Sequence, residues 1–358
     1  MTVETPSQSV RDYFENLQVL RAVSAILVML THILHEISMT ATKMGKDAPT
    51  WAADHFPYGV GVDIFFILSG FLMVYTSQNI FGQKGAWKAF LKKRFIRIVP
   101  LYWFYTSVMV IALFLFPRVF DTAIFDWKHI TQSYLFIPHE RPSGGIRPVL
   151  SLGWTLNLEM FFYGMFAMFL FLSRRHLTLL IAILFLGLSC ANILGFINSN
   201  NAVLFFWSNP IIMEFAFGMI IAHLYIQGYR LPFIAAPIGI LVCAMIFFFV
   251  PTLPLLNSLA DNFIPKFLIA VIAVCVLTLS KNARQMRMPK LLKELGNSSY
   301  TLYLAHPFFI GAVALIVIFM DLSVWMHLFL SVFVCIMGSY LAYMFIEKPM
   351  LKFFTGKN

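Results

Sequence analysis

The sequence has very little charge. Only 12% of its 358 residues are Asp, Glu, Lys or Arg, while 60% are hydrophobic. About a quarter of the residues in a soluble domain are charged, because its surface must face water. A protein surrounded by lipid hydrocarbon has no such requirement. The composition therefore predicts an all-α integral membrane protein and argues against a series of soluble domains.

Cysteine is also scarce. The four cysteines each stand alone inside an apolar run, at Cys190, Cys243, Cys275 and Cys335. Neither a CxxC pair nor a Cys/His spacing typical of zinc sites occurs. HILHE, at 32–36, is not the HExxH order of zinc peptidases, and no third ligand is evident. We therefore expect no metal and no disulfide framework.

Ten apolar runs are long enough to cross a bilayer as helices. They predict a bundle of about ten transmembrane helices within residues 17–347, between an N-terminal tail (1–16) and a C-terminal tail (348–358). The first tail is too polar for a secretory signal. The predicted spans are Leu17–Ile37, Tyr58–Ile80, Ile98–Phe116, Leu152–Leu172, Leu177–Ile197, Leu204–Ile226, Phe233–Val250, Phe263–Ser280, Ser299–Met320 and Trp325–Ile346.

The net charge of +10 comes from Lys and Arg residues that lie mainly in the predicted loops. Most of the 26 Lys and Arg residues fall on one side of the predicted bundle. Loops rich in Lys and Arg stay in the cytoplasm, so both ends are predicted to be cytoplasmic. This placement favours topology over nucleic-acid binding. The long connection Pro117–Ser151, rich in Pro and Gly, then lies outside, and its length predicts a structured, functional loop.

Two polar residues in the first span are three helical turns apart. Arg21 and His32 are separated by eleven residues, so both side chains point the same way, about 16 Å apart along the axis. One interpretation is an arginine that reaches the headgroups and a histidine bonded within the bundle. The other is a polar channel along one helix face, with His32 as a base.

Further ionisable residues lie in or beside later spans. Arg94 and Arg97 share a helix face at the cytoplasmic mouth of the third span, which suits a multiply charged phosphate ligand better than random loop charge does. For the adjacent Lys92 and Lys93, ordinary loop charge is the preferred interpretation. Glu159 lies about two turns into the fourth span, where a carboxylate needs a partner or a function. Asp63 and His306 open the second and ninth spans.

These residues carry a resemblance to a known family. The segments NLQVLRAVSAILVMLTH, GVDIFFILSGF, RFIRIVPLYW, WTLNLEMFFY, YTLYLAHPF and IEKP occur in this order along the chain. In these segments the sequence resembles the membrane-bound acyltransferase type 3 family, in particular its exopolysaccharide acetylase branch.

The resemblance implies transfer of an acyl group, usually acetyl, from cytoplasmic acetyl-CoA to a hydroxyl of a carbohydrate. It implies a catalytic role for His32 with Arg21 as its partner, and donor binding by Arg94 and Arg97. We expect Glu159 to take part in catalysis, with supporting roles for the four residues Asp63, Trp154, Tyr300 and His306.

The expected environment follows from the same resemblance. The protein is expected to cross the bacterial cytoplasmic (inner) membrane several times. Its expected partners are membrane lipid, a polysaccharide or lipid-linked sugar as acceptor, and polysaccharide-synthesis machinery. Some relatives carry an esterase-like domain after the last span. This sequence ends at Asn358, so we expect no such second step in the same chain.

Two other functions are compatible with buried charges. A transporter or flippase of a glycan or small solute would use Arg21, His32 and Glu159 along a permeation path, but no paired inverted halves are evident. A non-catalytic subunit of a polysaccharide-synthesis complex is the third possibility. Thioester consumption that depends on His32 would favour the enzyme over the transporter, and retention of the modification after deletion of the gene would favour the subunit.

Overall fold

The structure is a computed structural model that describes residues 6–47, 49, 59–116, 125–141, 144–249, 263–280 and 289–356, with the backbone alone for 6–15. Within these ranges every regular element is a helix, and two isolated β-bridges join Glu140 to Ile146 and Leu231 to Ser280. The all-α prediction is confirmed for this part of the chain.

The α-helices are numbered in chain order. They are α1 (Pro6–Lys43), α2 (Val60–Thr76), α3 (Ala86–Leu115), α4 (Trp127–Tyr134), α5 (Trp154–Phe169), α6 (Arg174–Ile193), α7 (Ala202–Trp207), α8 (Met213–Ile226), α9 (Ala235–Phe249), α10 (Phe263–Leu279), α11 (Lys290–Asn297), α12 (Ser299–Met320), α13 (Val324–Ala342) and α14 (Lys348–Thr355). Short 3₁₀-helices cover Ser151–Gly153 and Pro210–Ile212, and a π-helix covers Tyr343–Glu347.

The chain divides into two compact units. The first comprises Met1–Leu68 and Leu224–Phe345, and the second comprises Ser69–His223 and Ile346–Asn358. Each is described by itself below.

Helix α1 forms the centre of the first unit and packs against α10, α11, α12 and α13. Its apolar residues recur every four positions, which places them on one face of the helix. The buried cluster that results consists of Ala25, Met29, Ile33 and Ile37 of α1 with Leu302, Ile310 and Cys335.

A glycine sets the approach of α2 to α1 in this unit. A Cβ atom at Gly61 would overlap the carbonyl oxygen of Ser24 and the side chain of Val28. Only a residue without a side chain permits this contact. Helix α2 therefore begins beside the middle of α1, one turn before His32.

Helix α3 organises the second unit and packs against α4, α5 and α14. The long connection after α3 folds back along it. The Tyr102 hydroxyl donates to the Ser133 carbonyl (3.1 Å), and the Trp103 indole donates to the Tyr134 carbonyl (2.9 Å). Tyr102 lies about 20 Å before the end of α3. Sequence analysis predicted a structured loop here; residues 117–124, 142 and 143 of it lie outside the described residues.

Among the described residues, five helices are long and apolar enough to cross a membrane. They are Asn16–Lys43, Ala86–Leu115, Arg174–Ile193, Ser299–Met320 and Val324–Thr355. Four apolar helices are shorter: Val60–Thr76, Pro210–Ile226, Ala235–Phe249 and Phe263–Leu279. Ten crossings and the orientation of the chain therefore stay predictions.

Some predicted boundaries differ from the observed helices. The predicted span Leu204–Ile226 is interrupted near Pro210, because proline disfavours helical backbone at the residue before it and cannot donate its own N–H. Helix α1 begins at Pro6, so most of the predicted N-terminal tail is helical; its first five residues lie outside the described residues. The predicted C-terminal tail contains α14.

Candidate active site

Two histidines are in contact in the first unit. His32 of α1 and His306 of α12 have ring centroids 5.0 Å apart. His306 is completely buried, and His32 is half-buried. Sequence analysis assigned the two residues separate roles, and the packing of α1 against α12 brings them together.

The same hydrogen-bond pattern orients both rings. His32 Nδ1 lies 2.8 Å from the Val28 carbonyl oxygen, and His306 Nδ1 lies 2.9 Å from that of Leu302. A carbonyl oxygen only accepts, so each Nδ1 carries the hydrogen and each neutral ring has its lone pair on Nε2. His306 Nε2 has no hydrogen-bond partner in the described part of the chain. In each ring, the Nε2 atom therefore lies on the side away from the bonded backbone carbonyl.

The first unit also contains three other predicted site residues. Arg21 is half-buried, and its Nη1 donates to Oε1 of Gln18 (3.2 Å). Helix α1 is continuous from Arg21 to His32, as the spacing argument requires. Asp63 is buried near the start of α2, and Tyr300 is half-buried on α12.

Sequence analysis missed Tyr303. Its ring lies 6.4 Å from that of His306 and 6.2 Å from that of Phe65. Tyr303 thus packs between the start of α2 and the buried imidazole of His306, and it restricts the position of that imidazole. Its spacing from His306, i to i+3 on a helix, was the available signal.

A polar cluster in the second unit surrounds Glu159. One of its carboxylate oxygens accepts hydrogen bonds from the hydroxyls of Tyr163 and Ser69, the latter at 3.0 Å. Sequence analysis identified Glu159 but neither hydroxyl. Tyr163 could have been found from its i to i+4 spacing. Ser69 could not, because it comes from another helix. The predicted need of a partner for this carboxylate is thus met within the protein.

Arg94 belongs to the same cluster. Its guanidinium carbon lies 5.9 Å from the ring centre of Tyr163 and 5.6 Å from that of Phe90. Nη2 donates to the Thr76 hydroxyl (3.0 Å), while Nε is buried without a hydrogen-bond partner in the described ranges. An unused, buried N–H on a cation favours an anionic acceptor.

Arg97 has a different environment. Its Nη1 lies 2.8 Å from Oε1 of Glu347, whose side chain is 2% exposed, against 32% for that of Arg97. Glu347 belongs to the IEKP segment near the end of the chain. The two arginines predicted to act as a pair therefore differ: Arg94 keeps an unused donor, whereas Arg97 compensates a buried carboxylate.

Trp154 is the first residue of α5. The Arg147 guanidinium lies 5.6 Å from its ring centre, and the Phe206 ring meets it edge-on at 6.4 Å. Trp154 therefore connects the end of the long loop to α7 by ring contacts.

A second histidine pair, not anticipated from the sequence, lies in the loop between α3 and α5. His139 Nδ1 is 2.7 Å from the Ile137 carbonyl oxygen, and His139 Nε2 is 2.6 Å from His129 Nδ1. Since the carbonyl fixes the hydrogen on His139 Nδ1, His129 Nδ1 donates to His139 Nε2. Burial, and then the nearby His139, lower the pKa of His129 to about 4.

Among the described residues, no group of three or more His, Cys, Asp or Glu side chains has the arrangement of a metal site.

Comparison with known proteins shows the family. An acyltransferase domain model matches residues 14–344. The chain belongs to this acyltransferase family.

Two relatives carry informative names. The chain is 34% identical over 303 residues to the exopolysaccharide production protein ExoZ of Rhizobium meliloti (strain 1021), an alignment that covers 83% of this chain and 91% of that protein. It is 24% identical over 370 residues to the O-acetyltransferase OatA of Staphylococcus aureus (strain NCTC 8325 / PS 47), which covers 95% of this chain but 57% of OatA. No solved structure matches the chain.

The acyltransferase match contains both helix-borne sites. His32 and His306 of the first unit, and Arg94 and Glu159 of the second, all fall within residues 14–344. Glu347, which pairs with Arg97, lies three residues beyond the matched region. With its apolar helices, this acyltransferase is a membrane protein.

Proposed function

We propose that this protein is a membrane-bound O-acyltransferase that moves an acetyl group from cytoplasmic acetyl-CoA to a hydroxyl of a surface or exopolysaccharide sugar. The family supports acyl transfer. The names of the relatives, exopolysaccharide production protein and O-acetyltransferase, support a polysaccharide acceptor and an acetyl group. The observation that carries the proposal is the orientation of His32, whose Nδ1 is held by a backbone carbonyl.

In this proposal His32 is the general base. Its Nε2 takes the proton of the sugar hydroxyl as the oxygen attacks the thioester carbonyl carbon. The carbon–sulfur bond then breaks, and the imidazolium returns the proton to the departing CoA thiolate. A positioned base of this kind contributes about 10²–10⁴-fold to the rate.

Arg94 and Arg97 are proposed to bind the phosphates of the donor. Acetyl-CoA carries several negative charges, and the unused Nε–H of Arg94 suits such a ligand. Arg97 is partly compensated by Glu347, so we expect Arg94 to contribute more. Glu159 is proposed to act within its own cluster, where it orients Tyr163 and through that ring Arg94.

The remaining assignments are part of the same proposal. Arg21 supports His32 along α1, while Asp63, Trp154 and Tyr300 have supporting roles. The acyltransferase domain is residues 17–347, between cytoplasmic tails at 1–16 and 348–358. We place the protein in the bacterial inner membrane with several crossings, where lipid surrounds it and polysaccharide-synthesis machinery is a partner.

The experiment uses the full chain in nanodiscs with [¹⁴C-acetyl]CoA. The acceptor is the polysaccharide of a host strain that lacks the gene, because that polymer has not been modified by this protein. We expect label in the polymer and stoichiometric release of free CoA with the wild type, and loss of both with His32→Ala.

The matched control is His35→Ala. His35 is an exposed residue of α1, three positions after His32, and its replacement should leave both products unchanged. Correct insertion of each variant is checked by size-exclusion chromatography and thermal unfolding. If a folded His32→Ala variant transfers acetyl at the wild-type rate, the proposed base is wrong. If the wild type releases no CoA, the enzymatic function is wrong.

A further inference from the structure

The loop between α3 and α5 forms one wall of an open cavity of about 510 Å³ in the second unit, and most of its lining residues carry polar side chains. The opposite wall is the connection between α6 and α7. This volume falls within the range of small-molecule sites, about 300–1,000 Å³. The residues that line the cavity are Asp126, Lys128, Gln132, Pro138, His139, Glu140, Asn200, Asn201, Ala202 and Val203.

We propose that this cavity binds a neutral sugar unit of the acceptor polysaccharide. This inference rests on the proposed function, because it assigns the acceptor a binding site, and on the predicted outward position of the loop. It adds a site that neither the family match nor the residue motifs identify.

Three polar side chains of the lining are available to a ligand. The side chains of Gln132, Glu140 and Asn200 make no hydrogen bond to another described residue. Amides donate and accept, and a carboxylate accepts. A sugar ring presents several hydroxyls, each of which donates and accepts, so it matches such a lining. Pro138, Ala202 and Val203 are the apolar residues of the described lining, and they suit the C–H faces of a sugar ring.

The charge of the lining further restricts the class of ligand that the cavity can bind. Asp126 and Glu140 face one cation, Lys128, and both ring nitrogens of His139 are hydrogen-bonded within the loop. The cavity is thus slightly negative, which disfavours phosphates and acidic sugars. This balance distinguishes it from the cluster around Arg94, which suits an anion.

Hydrogen bonds within the two loops hold the frame of the cavity. The Asp126 carboxylate accepts from the backbone N–H groups of Lys128 and His129, at 3.2 and 3.1 Å, and so caps α4. The His129–His139 bond closes the loop behind that helix. On the opposite wall, Asn201 caps α7 through its bond from the Leu204 N–H (3.0 Å). Pre-organised walls reduce the conformational entropy that the protein loses on binding.

The test uses Gln132→Ala/Asn200→Ala in the full chain in nanodiscs. Neither side chain holds the loop together, so the variant should fold. The probe is a set of oligosaccharides cut from the unmodified polysaccharide of the gene-deletion strain. We expect the acceptor KM to rise about tenfold, as the loss of one or two hydrogen bonds implies, with kcat and the KM for acetyl-CoA unchanged.

The control is Thr131→Ala, on the same helix. Thr131 is exposed, lies outside the lining and bonds the Trp127 carbonyl. Its replacement should change neither KM. Saturation-transfer NMR of the sugar protons is measured in parallel, and we expect the double variant to lose the signal that the wild type and Thr131→Ala retain.

The two readouts separate the cavity from the reaction. If acetyl transfer occurs but the double variant keeps the wild-type acceptor KM and NMR signal, the cavity proposal is wrong and the enzyme remains. If the wild type binds the sugar through Gln132 and Asn200 but transfers no acetyl, the proposed function is wrong and the sugar site remains.

Discussion

The two histidine pairs of this protein use the same residue type in opposite ways. In the first unit, His32 and His306 each bond a carbonyl of their own helix through Nδ1, and the Nε2 of His306 has no described partner. In the second unit, His139 uses both ring nitrogens, one for the Ile137 carbonyl and one for His129. The rings of the helix-borne pair are therefore each bonded to their own helix, with the Nε2 of His306 unused among the described residues, whereas the rings of the loop pair are bonded to each other and hold the backbone.

The largest expected difference between the pairs is catalytic. We expect His32→Ala to lower kcat for acetyl transfer by about 10²–10⁴-fold, because it removes the base, without a matching loss of thermal stability. His129→Ala should show the reverse: kcat at saturating acceptor falls less than about tenfold, while the unbonded Nε2 of His139 destabilises the loop by about 1–3 kcal/mol. Steady-state kinetics and thermal unfolding measure both. Equal losses of kcat in the two variants would remove the distinction.

The next test sharpens the role of the buried ring. His306→Asn keeps a donor near the position of Nδ1 but removes Nε2, whereas His306→Gln places a polar atom near Nε2. If Nε2 of His306 sets the orientation or basicity of the His32 ring, His306→Asn should lower kcat about tenfold, which is the usual effect of losing a single polar contact. It should also move the kinetic pKa of the kcat profile, and His306→Gln should restore part of the rate. A purely structural residue would leave that pH profile unmoved.

A smaller effect is expected for Ser133, which ties the loop together. Its hydroxyl donates to the His129 carbonyl (2.7 Å) and accepts from the Val149 N–H (2.9 Å). Ser133→Ala leaves that part-buried N–H without its acceptor, which costs about 0.5–1.5 kcal/mol. Hydrogen exchange of the loop should accelerate accordingly, while exchange in α1 stays constant. Accelerated exchange in α1 would mean that the loop does not open independently.

The smallest expected effect is the response of the loop to pH. Because burial lowers the pKa of His129 to about 4, the opened loop binds a proton at a pH where the closed loop does not. An ordinary histidine has a pKa of about 6.5, so closure should weaken as the pH falls from about 6.5 to about 4 and stay constant above that window.

Hydrogen exchange of residues 129–139 at pH 7 and pH 5, corrected for intrinsic rates, measures this effect. The groups near His129 are His139, Asp126 and Arg141, and His129→Ala should abolish the pH dependence. A loop that is equally protected at both pH values would show that His129 remains neutral when the loop opens.

The candidate site was predicted unevenly, and the reason is the separation of its parts in the sequence. Arg21 and His32 share one helix, so their spacing alone placed them on one face. Tyr163, four residues after Glu159, could have been deduced in the same way. The contacts of Ser69 with Glu159 and of Glu347 with Arg97 span 90 and 250 residues, and no local period encodes them.

The membrane helices show a similar limit. Length and composition predicted the apolar helices, because a helix satisfies its own backbone hydrogen bonds and an apolar surface is then enough for a lipid environment. They did not predict that Pro210 interrupts one predicted span, or that the loop after α3 returns along that helix to Tyr102.

Composition and short-range spacing by themselves determined the class of protein, its helical nature and the residues able to carry charge into lipid, because these depend on the chain's own transfer free energy and on helix geometry. The tertiary structure alone decided which of those residues meet. It set His306 beside His32, paired Arg97 with Glu347 and formed a cavity between two loops, because side chains distant in the sequence find partners only through packing.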